Sequence, residues 1–360
     1  MKCLLDLALE SIEREVGGQE ADLQVERVVV RKDGSLMLFA SCRGQVRWFH
    51  FEGGKLTERF PGQETALPLL AAMSEEEFQA VQVLAWRPGR RVALLDPTGQ
   101  ETTILKGFRR KRGLSAAMDL ERVSAAGSRC ETLRFPACLE SYPDRNALRM
   151  GFMPGGPLEI RTGSADLFFG IGRDLMVIQE HVSCTGLDHH GPNDELTNLE
   201  AIAVRTLSAT PVPDPSWKEL LQSLKQAVLN LPPAPKVFAH RDLHDGQFLV
   251  NGTDVALMDF DMIAAADPVL DLANLSAHLQ LRVLQKQGGL TQADADTCDA
   301  ALSEAFATAH DSEAQHRVRF YRSATFLRLA FVYAVRPRWR HLFPDLLQHA
   351  QHCFDELREA

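Results

Sequence analysis

The stretch VFAHRDLHDGQFLVNGTDVALMDFD, at positions 237–261, constrains the fold of this chain more than any other segment. Short apolar runs, which are typical of strands, alternate in it with a polar loop at 240–247 and with the turn signal Asn251–Gly252. The pattern predicts a strand that leads into the polar loop, followed by a β-hairpin. The polar residues of the loop and those that follow the hairpin are therefore expected to approach one another.

A hairpin so placed brings Asp242, Gln247 and Asp259 towards one point. Phosphoryl transfer requires a carboxylate near the attacking hydroxyl and oxygen ligands that hold Mg²⁺ against the nucleotide phosphates. Asp242 can serve as that carboxylate, whereas the amide oxygen of Gln247 and the carboxylate of Asp259 can serve as metal ligands. Asp261 can add a second metal contact or only a structural hydrogen bond, and the sequence leaves this choice open.

Three motifs in this region resemble those of the aminoglycoside phosphotransferase and choline kinase group within the protein-kinase-like superfamily. HRDLHDGQ matches the H-x-D-x-x-x-x-N catalytic loop of that family, with His240 and Asp242 at its catalytic positions. DFD, which begins at Asp259, stands where the family has its metal-binding aspartate. ADPVLDLANL looks like the family's D-x-x-x-D-L-A segment, and this likeness implies that Asp271 braces the catalytic loop.

The resemblance implies an α+β protein with a two-lobed protein-kinase-like fold, in which a small antiparallel-sheet N-lobe precedes a larger, mainly helical C-lobe. We expect the N-lobe at 76–153 and the C-lobe, with its substrate-binding helices, at 154–360. The segment MPGGP at 153–157 is the candidate hinge, because two prolines and two glycines interrupt it. Residues 1–75 begin with a helical pattern and continue with the strand-like runs LQVERVVV, SLMLFASC and QVRWFHF, which predicts a small helix-plus-sheet module. The resemblance to some sugar kinases of the group implies that this module is an N-terminal α/β cap.

The residue pattern of the predicted N-lobe indicates five strands and one helix. The strand candidates VQVLAW, RVALLD and TTILKGF are joined by the turn signals RPGR and PTGQ and are followed by a helical segment at 114–126. Two further strand candidates, ACLESY and ALRMGF, complete the unit. In the C-lobe, the chain after Pro268 is predicted to be helical to its end.

The resemblance also implies a lysine on the third N-lobe strand and a glutamate on the helix after it. Lys106 is centred on that strand candidate, and Glu121 lies on the predicted helix. An ion pair between them would place the Lys106 ammonium group on the α- and β-phosphates of a nucleotide. Asp119 competes with Glu121 for this role, and the sequence does not decide between them.

The phosphate loop of this chain departs from the common pattern, since no GxGxxG motif occurs. The turn WRPGRR at 86–91 lies between the first two strand candidates, where the Gly-rich loop is expected. The backbone amides of this turn, with Arg90 or Arg91, could cover the phosphates. By the resemblance, adenine would bind the backbone of the hinge. The candidates there are Met150, Phe152 and Met153.

Gln247 stands where most members of the family have asparagine. Glutamine keeps the amide oxygen that ligates the metal, and its presence is similar to the loop of maltokinase-like sugar kinases. The resemblance implies an ATP- and Mg²⁺-dependent small-molecule kinase that phosphorylates a hydroxyl of a sugar, an amino sugar or an amino alcohol. Two alternatives stay open, a nucleotide-binding pseudokinase with a scaffold or regulatory role and a resistance enzyme that phosphorylates aminoglycosides.

Composition and charge argue against several other classes of protein. The net charge of -9 and the pI near 5.8 disfavour general binding to nucleic acid. No run of about 18 or more apolar residues occurs, so no contact with a membrane is predicted. Seven scattered cysteines without a CxxC pair are typical of free thiols in the cytoplasm. The oligomeric state cannot be inferred from these features.

Overall fold

The computed structural model describes residues 2–17, 23–43, 45–109, 112–306 and 311–359. The chain divides into two compact units. The first unit comprises Met1–Phe60, Gly191–Pro232 and Glu313–Ala360, and the second comprises Pro61–His190 and Pro233–Ser312. The division into 1–75, 76–153 and 154–360 that the sequence suggests stays a prediction.

Helices and strands are numbered along the chain. The helices are α1 (Leu4–Ile12), α2 (Pro68–Ala72), α3 (Glu75–Gln79), α4 (Gly113–Ala126), α5 (Ala165–His181), α6 (Pro192–Ala209), α7 (Trp217–Ala227), α8 (Leu270–Leu284), α9 (Gln292–Ala305), α10 (Ser312–Ala334) and α11 (Phe343–Glu359). The strands are β1 (Gln24–Val30), β2 (Leu36–Cys42), β3 (Gln45–Glu52), β4 (Lys55–Arg59), β5 (Gln82–Arg87), β6 (Arg91–Asp96), β7 (Thr103–Phe108), β8 (Leu133–Arg134), β9 (Cys138–Tyr142), β10 (Ala147–Gly151), β11 (Gly156–Pro157), β12 (His189–His190), β13 (Val237–Ala239), β14 (Phe248–Asn251), β15 (Asp254–Leu257) and β16 (Ala264–Ala266).

The N-terminal part of the first unit is a helix packed on a sheet. Strands β1 to β4 form a four-stranded antiparallel sheet in sequence order. α1 buries Leu5, Ala8 and Ile12, whose spacing puts their side chains on one face of the helix. They share a core with Phe49 and Phe51, alternate residues of β3 that lie on one face of the sheet. The predicted helix and strands are therefore confirmed, and β4 is a strand that the sequence analysis does not predict.

Helices α6, α7, α10 and α11 form the rest of the first unit. Trp217 of α7 packs edge-on against Phe331 of α10, with ring centroids 5.0 Å apart. Phe331 also contacts Phe343 of α11, so one aromatic side chain joins three helices. Within the described ranges, no helix is long and apolar enough to cross a membrane.

The second unit contains the predicted five-stranded antiparallel sheet, whose strand order is β5-β6-β7-β10-β9. Its register places Arg87 opposite Arg91 and Ala93 opposite Lys106. Opposed residues of antiparallel strands share a face of the sheet, and so do residues two positions apart on one strand. Arg87, Arg91 and Lys106 therefore lie on the same face, which we call the cationic sheet face.

Helix α4 begins against the turn between β9 and β10. The side-chain oxygen of Asn146 in that turn accepts hydrogen bonds from the backbone amides of Arg112 and Gly113, at 2.9 and 2.8 Å. Amides at the start of a helix have no partner within it, so Asn146 caps α4 from outside. A Cβ atom at position 113 would lie 2.7 Å from the carbonyl carbon of Asn146, which requires glycine there. The predicted helix at 114–126 is confirmed as α4.

The remaining strands of the second unit fix the ends of the polar loop at 240–247. β13 precedes the loop, and β14 and β15 follow it as an antiparallel hairpin in which Asn251 pairs with Asp254. Gly252 in the turn has a φ of 63°, a left-handed conformation that glycine adopts without strain. The succession of strand, polar loop and hairpin predicted from the sequence is therefore confirmed.

Candidate active site

Two residues with left-handed backbone conformations shape the region around the polar loop. Arg241 has a φ of 69° and Asp259 a φ of 63°. Non-glycine residues in this conformation cost about 1–3 kcal/mol each, which surrounding contacts must offset. Such strain concentrates at functional sites. Here it lies directly before Asp242, the predicted base, and at Asp259, the predicted metal ligand.

One face of α8 holds the polar loop. Asp271 accepts hydrogen bonds from the backbone amides of His240 and Arg241, at 2.6 and 2.7 Å. Asn274, one turn further on, donates to the carbonyl oxygen of Arg241 at 2.9 Å. Burial raises the pKa of Asp271, while His240 and the two amides oppose this shift. Asp271 thus has the contacts that the predicted bracing role requires.

The same face of α8 continues towards the end of the loop. The ring of His278 stacks on that of His244 with centroids 4.9 Å apart, and Arg282 forms an ion pair with Asp245. The positions 271, 274, 278 and 282 recur at three- and four-residue intervals, which align side chains along one helix face. α8 therefore contacts the polar loop at both of its ends.

His240 connects the polar loop to the segment after β15. Its Nε2 lies 2.9 Å from the carbonyl oxygen of Met258, so this nitrogen carries the proton and donates it. Its ring lies edge-on to Phe260, with centroids 5.3 Å apart. Because Asp259 lies between Met258 and Phe260, these contacts position Asp259. The catalytic role implied for His240 stays a prediction.

Asp259 and Asp261 form an ion cluster with two cations of the cationic sheet face. Lys106 Nζ donates to Oδ1 of Asp259 at 2.9 Å and to Oδ1 of Asp261 at 2.6 Å. Arg91 donates to both carboxylate oxygens of Asp259, at 2.9 and 2.8 Å, and also pairs with Asp261. Burial raises the pKa of Asp259, but the charges of Lys106 and Arg91 lower it to well below its ordinary value. The negative charges of both carboxylates are therefore balanced by the positive charges of Lys106 and Arg91.

Further positive charge surrounds this cluster. Arg112 donates to the backbone carbonyl of Asp261. Burial and the charge of Arg91 lower the pKa of Arg87, whereas the charges of Asp259 and Asp242 oppose this. The polar loop thus lies within electrostatic range of the cationic sheet face. Asp259 and Asp261 contact that face directly, and Asp242 lies close enough to act on Arg87 through its charge.

The predicted ion pair between Lys106 and Glu121 is wrong. In the part of the chain that the structure describes, Lys106 pairs with Asp259 and Asp261 and has no ion pair with Glu121. Glu121 is exposed on α4, whereas Asp119 is half-buried. Burial raises the pKa of Asp119, the charges of Arg122 and Arg112 oppose this, and the charges of Asp188 and Asp261 add to it. Of the two acidic candidates on α4, Asp119 is therefore the more buried, and Glu121 faces solvent.

Arg90 and the predicted adenine contacts lie in different parts of the second unit. Arg90 is exposed in the turn between β5 and β6, whereas Arg91, the other candidate, reaches the ion cluster. Met150 is buried in β10, Met153 is half-buried, and Phe152 is 43% exposed. Their roles in nucleotide binding stay predictions.

Gln247 is buried in the short helical turn that ends the polar loop. Its side-chain amide lies 3.3 Å from Nε2 of His244. Nδ1 of His244 accepts a hydrogen bond from the amide of Gly246 at 3.0 Å, so the ring proton is on Nε2. The amide atom of Gln247 that faces this proton is best assigned as oxygen. A metal at this oxygen would therefore compete with the contact to His244.

Among the residues that the structure describes, one group of side chains is close enough together to hold a metal ion, and it consists of His244, Asp245 and His278. Both carboxylate oxygens of Asp245 already accept hydrogen bonds from Arg282, at 2.8 and 2.9 Å, and a cation there would be repelled. The planes of the two stacked rings differ by only 25°, so their in-plane lone pairs do not converge on one point. We assign no metal to this group.

The sequence profile described as the phosphotransferase enzyme family matches residues 74–321. The match covers more than half of the chain and includes the polar loop, Asp259 and Asp271. The chain belongs to the phosphotransferase enzyme family. The family resemblance inferred from the three motifs is thereby confirmed. No curated protein sequence is significantly similar to this phosphotransferase.

Solved structures of low sequence identity share the fold of this phosphotransferase. Amicoumacin kinase, in complex with AMP-PNP and Ca²⁺, matches with a TM-score of 0.55 at 14% identity, over 76% of this chain and 88% of that chain. A choline kinase from Cryptosporidium parvum Iowa II matches with a TM-score of 0.53 at 10% identity, over 81% and 94%. A choline/ethanolamine kinase family protein from Mesorhizobium loti matches with a TM-score of 0.50 at 15% identity, over 83% and 92%. The predicted two-lobed, protein-kinase-like fold is confirmed.

Sequence analysis missed part of the site of this phosphotransferase. Asn274, His278 and Arg282 follow Asp271 at helical spacing, and this periodicity is the signal that could have revealed their shared contact with the polar loop. No comparable signal selects Arg91 over Arg90, because the face that Arg91 shares with Lys106 follows from the register between β6 and β7.

Proposed function

We propose that this protein transfers the γ-phosphoryl group of ATP to a hydroxyl group of a small polar metabolite, such as a sugar, an amino sugar or an amino alcohol. The observation that carries the proposal is the grouping of Asp242, Asp259 and Asp261 beside the cationic sheet face. Phosphoryl transfer relies on positioning and on charge compensation, and this grouping offers both.

The oxygen atoms of Asp259 and Gln247 fit Mg²⁺. Carboxylate and amide oxygens are the hard ligands that this ion prefers, and Asp261 offers a further carboxylate. Bound there, the ion would compensate the negative charge of the transferred phosphoryl group. Two relatives support a nucleotide and a divalent metal, since amicoumacin kinase was solved with AMP-PNP and Ca²⁺ and spectinomycin phosphotransferase with ADP.

In this proposal, Asp242 accepts the proton of the acceptor hydroxyl, and the contacts from α8 keep the polar loop in place for that transfer. Lys106 and Arg91 donate charge-assisted hydrogen bonds to phosphate oxygens. Adenine binds the backbone between Met150 and Met153. The acceptor binds near the helices that follow Pro268.

The chemistry of the relatives supports a small hydroxyl-bearing acceptor. They include two choline kinases and a spectinomycin phosphotransferase, whose names specify small-molecule acceptors. All seven cysteines are free thiols, which supports a location in the reducing cytoplasm.

A nucleotide-binding pseudokinase with a scaffold or regulatory role is the second candidate. The observation that favours it is the neutralisation of Asp259 and Asp261 by Lys106 and Arg91, because carboxylates paired in this way are less available to a metal. A pseudokinase would bind nucleotide without transferring its phosphoryl group.

A panel of sugars, amino sugars and amino alcohols, incubated with Mg-ATP, separates the two candidates. We expect ADP release that depends on one class of acceptor, with a phosphorylated product in the ³¹P NMR spectrum. Nucleotide binding by calorimetry without turnover of any panel member would favour the pseudokinase. A protein that neither binds nucleotide nor releases ADP would contradict both.

A further inference from the structure

The contacts of Arg91 with Asp259 and Asp261 suggest how this site selects its ligands. We propose that Arg91 is a switch residue, which binds Asp259 and Asp261 in the free protein and moves to the phosphates when a metal–nucleotide complex arrives. The site would then take up the metal together with nucleotide and would disfavour the metal alone. This inference rests on the proposed function and extends it to the order of ligand binding.

All four carboxylate oxygens of the two aspartates accept a hydrogen bond from a cation. Both oxygens of Asp259 accept from Arg91, and its Oδ1 also accepts from Lys106. Oδ1 of Asp261 accepts from Lys106, and Oδ2 accepts from Arg91. A metal ion that ligates any of these oxygens would therefore lie close to a cation that already donates to it. Arg91 holds three of the four oxygens.

The local charges oppose the binding of a metal alone. Two carboxylates and two cations already balance within the ion cluster, and Arg87 adds a further positive charge nearby. A divalent ion without nucleotide would enter a balanced site and meet like charges at close range, where a partly buried environment screens their repulsion less than water does. Phosphates that arrive with the ion give Arg91 and Lys106 new partners and remove this repulsion.

The backbone around Arg91 is fixed, so its side chain is the part that can move. The buried carboxylate of Glu64 accepts a hydrogen bond from the amide of Gly89 in the preceding turn, at 2.6 Å. The amide of Arg109 donates to the carbonyl of Arg90 at 2.9 Å. Arg91 begins β6, and its long side chain is 21% exposed. It can therefore redirect its guanidinium group without displacing the sheet.

Two binding measurements test the switch, neither of which requires turnover. Mn²⁺ binding without nucleotide is followed by electron paramagnetic resonance, and binding of Mg-AMP-PNP by calorimetry. We compare wild type with Arg91→Met, which keeps the aliphatic length but removes the charge. Arg145→Met serves as matched control, because Arg145 forms an exposed ion pair with Glu77. Thermal unfolding confirms that each variant is folded.

The switch predicts opposite effects of Arg91→Met on the two ligands. Mn²⁺ alone should bind about tenfold more tightly than to wild type, because a competing cation is gone, and Mg-AMP-PNP about tenfold more weakly, because a phosphate contact is gone. Arg91→Lys should give intermediate values, since lysine keeps the charge without the two-pronged contact. Arg145→Met should match wild type in both measurements.

Other outcomes separate the switch from the proposed function. The switch is refuted, and the proposed function stands, if Arg91→Met weakens the binding of both ligands or leaves the binding of both unchanged. The same holds if Arg91→Met fails to fold and Arg91→Lys binds both ligands as wild type does. Wild type that binds Mn²⁺ alone as tightly as it does with AMP-PNP present also refutes the switch alone. Wild type that binds no Mg-AMP-PNP contradicts the proposed function and the switch with it.

Discussion

The guanidinium group of Arg282 donates two hydrogen bonds to the carboxylate of Asp245, at 2.8 and 2.9 Å, and so ties α8 to the polar loop. Both side chains are largely buried, with 16% and 9% of their surface exposed. The contact lies three residues after Asp242 in the sequence, whereas the hydrogen bonds to Asp271 lie just before it. Asp242 is therefore held between two fixed points.

Removal of the Arg282 contact should loosen the polar loop while the nucleotide contacts remain. We expect Arg282→Met to lower kcat about tenfold or more and to leave the Kd for Mg-AMP-PNP within a few fold, because the loop positions the proposed base. Asp245 would keep a buried charge without its partner, which should lower the free energy of unfolding by about 3 kcal/mol.

Turnover, calorimetry and urea unfolding check this prediction of a positioning role. Arg282→Lys keeps the charge and should recover most of the stability but only part of kcat, because lysine cannot reproduce the two-pronged contact. If Arg282→Met weakens nucleotide binding and turnover to the same extent, the residue does not act through the polar loop.

Gln247 is predicted to ligate Mg²⁺ through its amide oxygen. Gln247→Asn should retain activity, because the loop need move by only about one methylene length. Gln247→Leu keeps the volume but removes the ligand, and it should lower phosphoryl transfer by about tenfold or more. The Mg²⁺ concentration for half-maximal rate measures the effect. An active Leu variant with an unchanged Mg²⁺ requirement would remove Gln247 from the metal site.

The five-stranded sheet of the second unit should lose stability in acid through Asp96. Burial raises the pKa of Asp96. Hydrogen bonds from Thr98 and Arg149 lower it by more than burial raises it, so the net shift of the pKa is downward. A carboxylate whose pKa is lower in the folded state stabilises the fold above its ordinary pKa of about 3.9, and this contribution is lost as the pH falls below that value.

Urea unfolding of wild type and Asp96→Asn at several pH values measures this contribution. The difference in unfolding free energy should be constant between about pH 7 and pH 5 and should shrink towards about pH 3. A difference that stays constant over the whole range would show that Asp96 does not stabilise the sheet through its charge.

Local patterns were sufficient to predict much of this fold. Alternation and turn residues predicted the five N-lobe strands, and apolar periodicity predicted α4, because both elements bury one face. The Asn251–Gly252 signal predicted the hairpin, and with it the approach of the polar loop to Asp259. These predictions rest on short-range rules that tertiary contacts did not override.

The partners of individual charges could not be predicted in the same way. From the sequence alone, Lys106 could pair with Glu121, with Asp119 or with the aspartates after β15. Only the packing of α4 decides which of these carboxylates it contacts. The ion cluster with Arg91 depends on the register between β5, β6 and β7, which short-range patterns leave undetermined. Long-range register and helix rotation thus limit the prediction of the site.

The most direct test of the central claim is a comparison of wild type with Asp242→Asn. Acceptor-dependent ADP release and Mg-AMP-PNP affinity are measured on both proteins. We predict that transfer falls by about 10²- to 10⁴-fold, because the amide cannot accept the hydroxyl proton, while the nucleotide Kd changes by no more than a few fold. Transfer by Asp242→Asn at more than about a tenth of the wild-type rate would contradict the account, since a positioned base contributes far more than that.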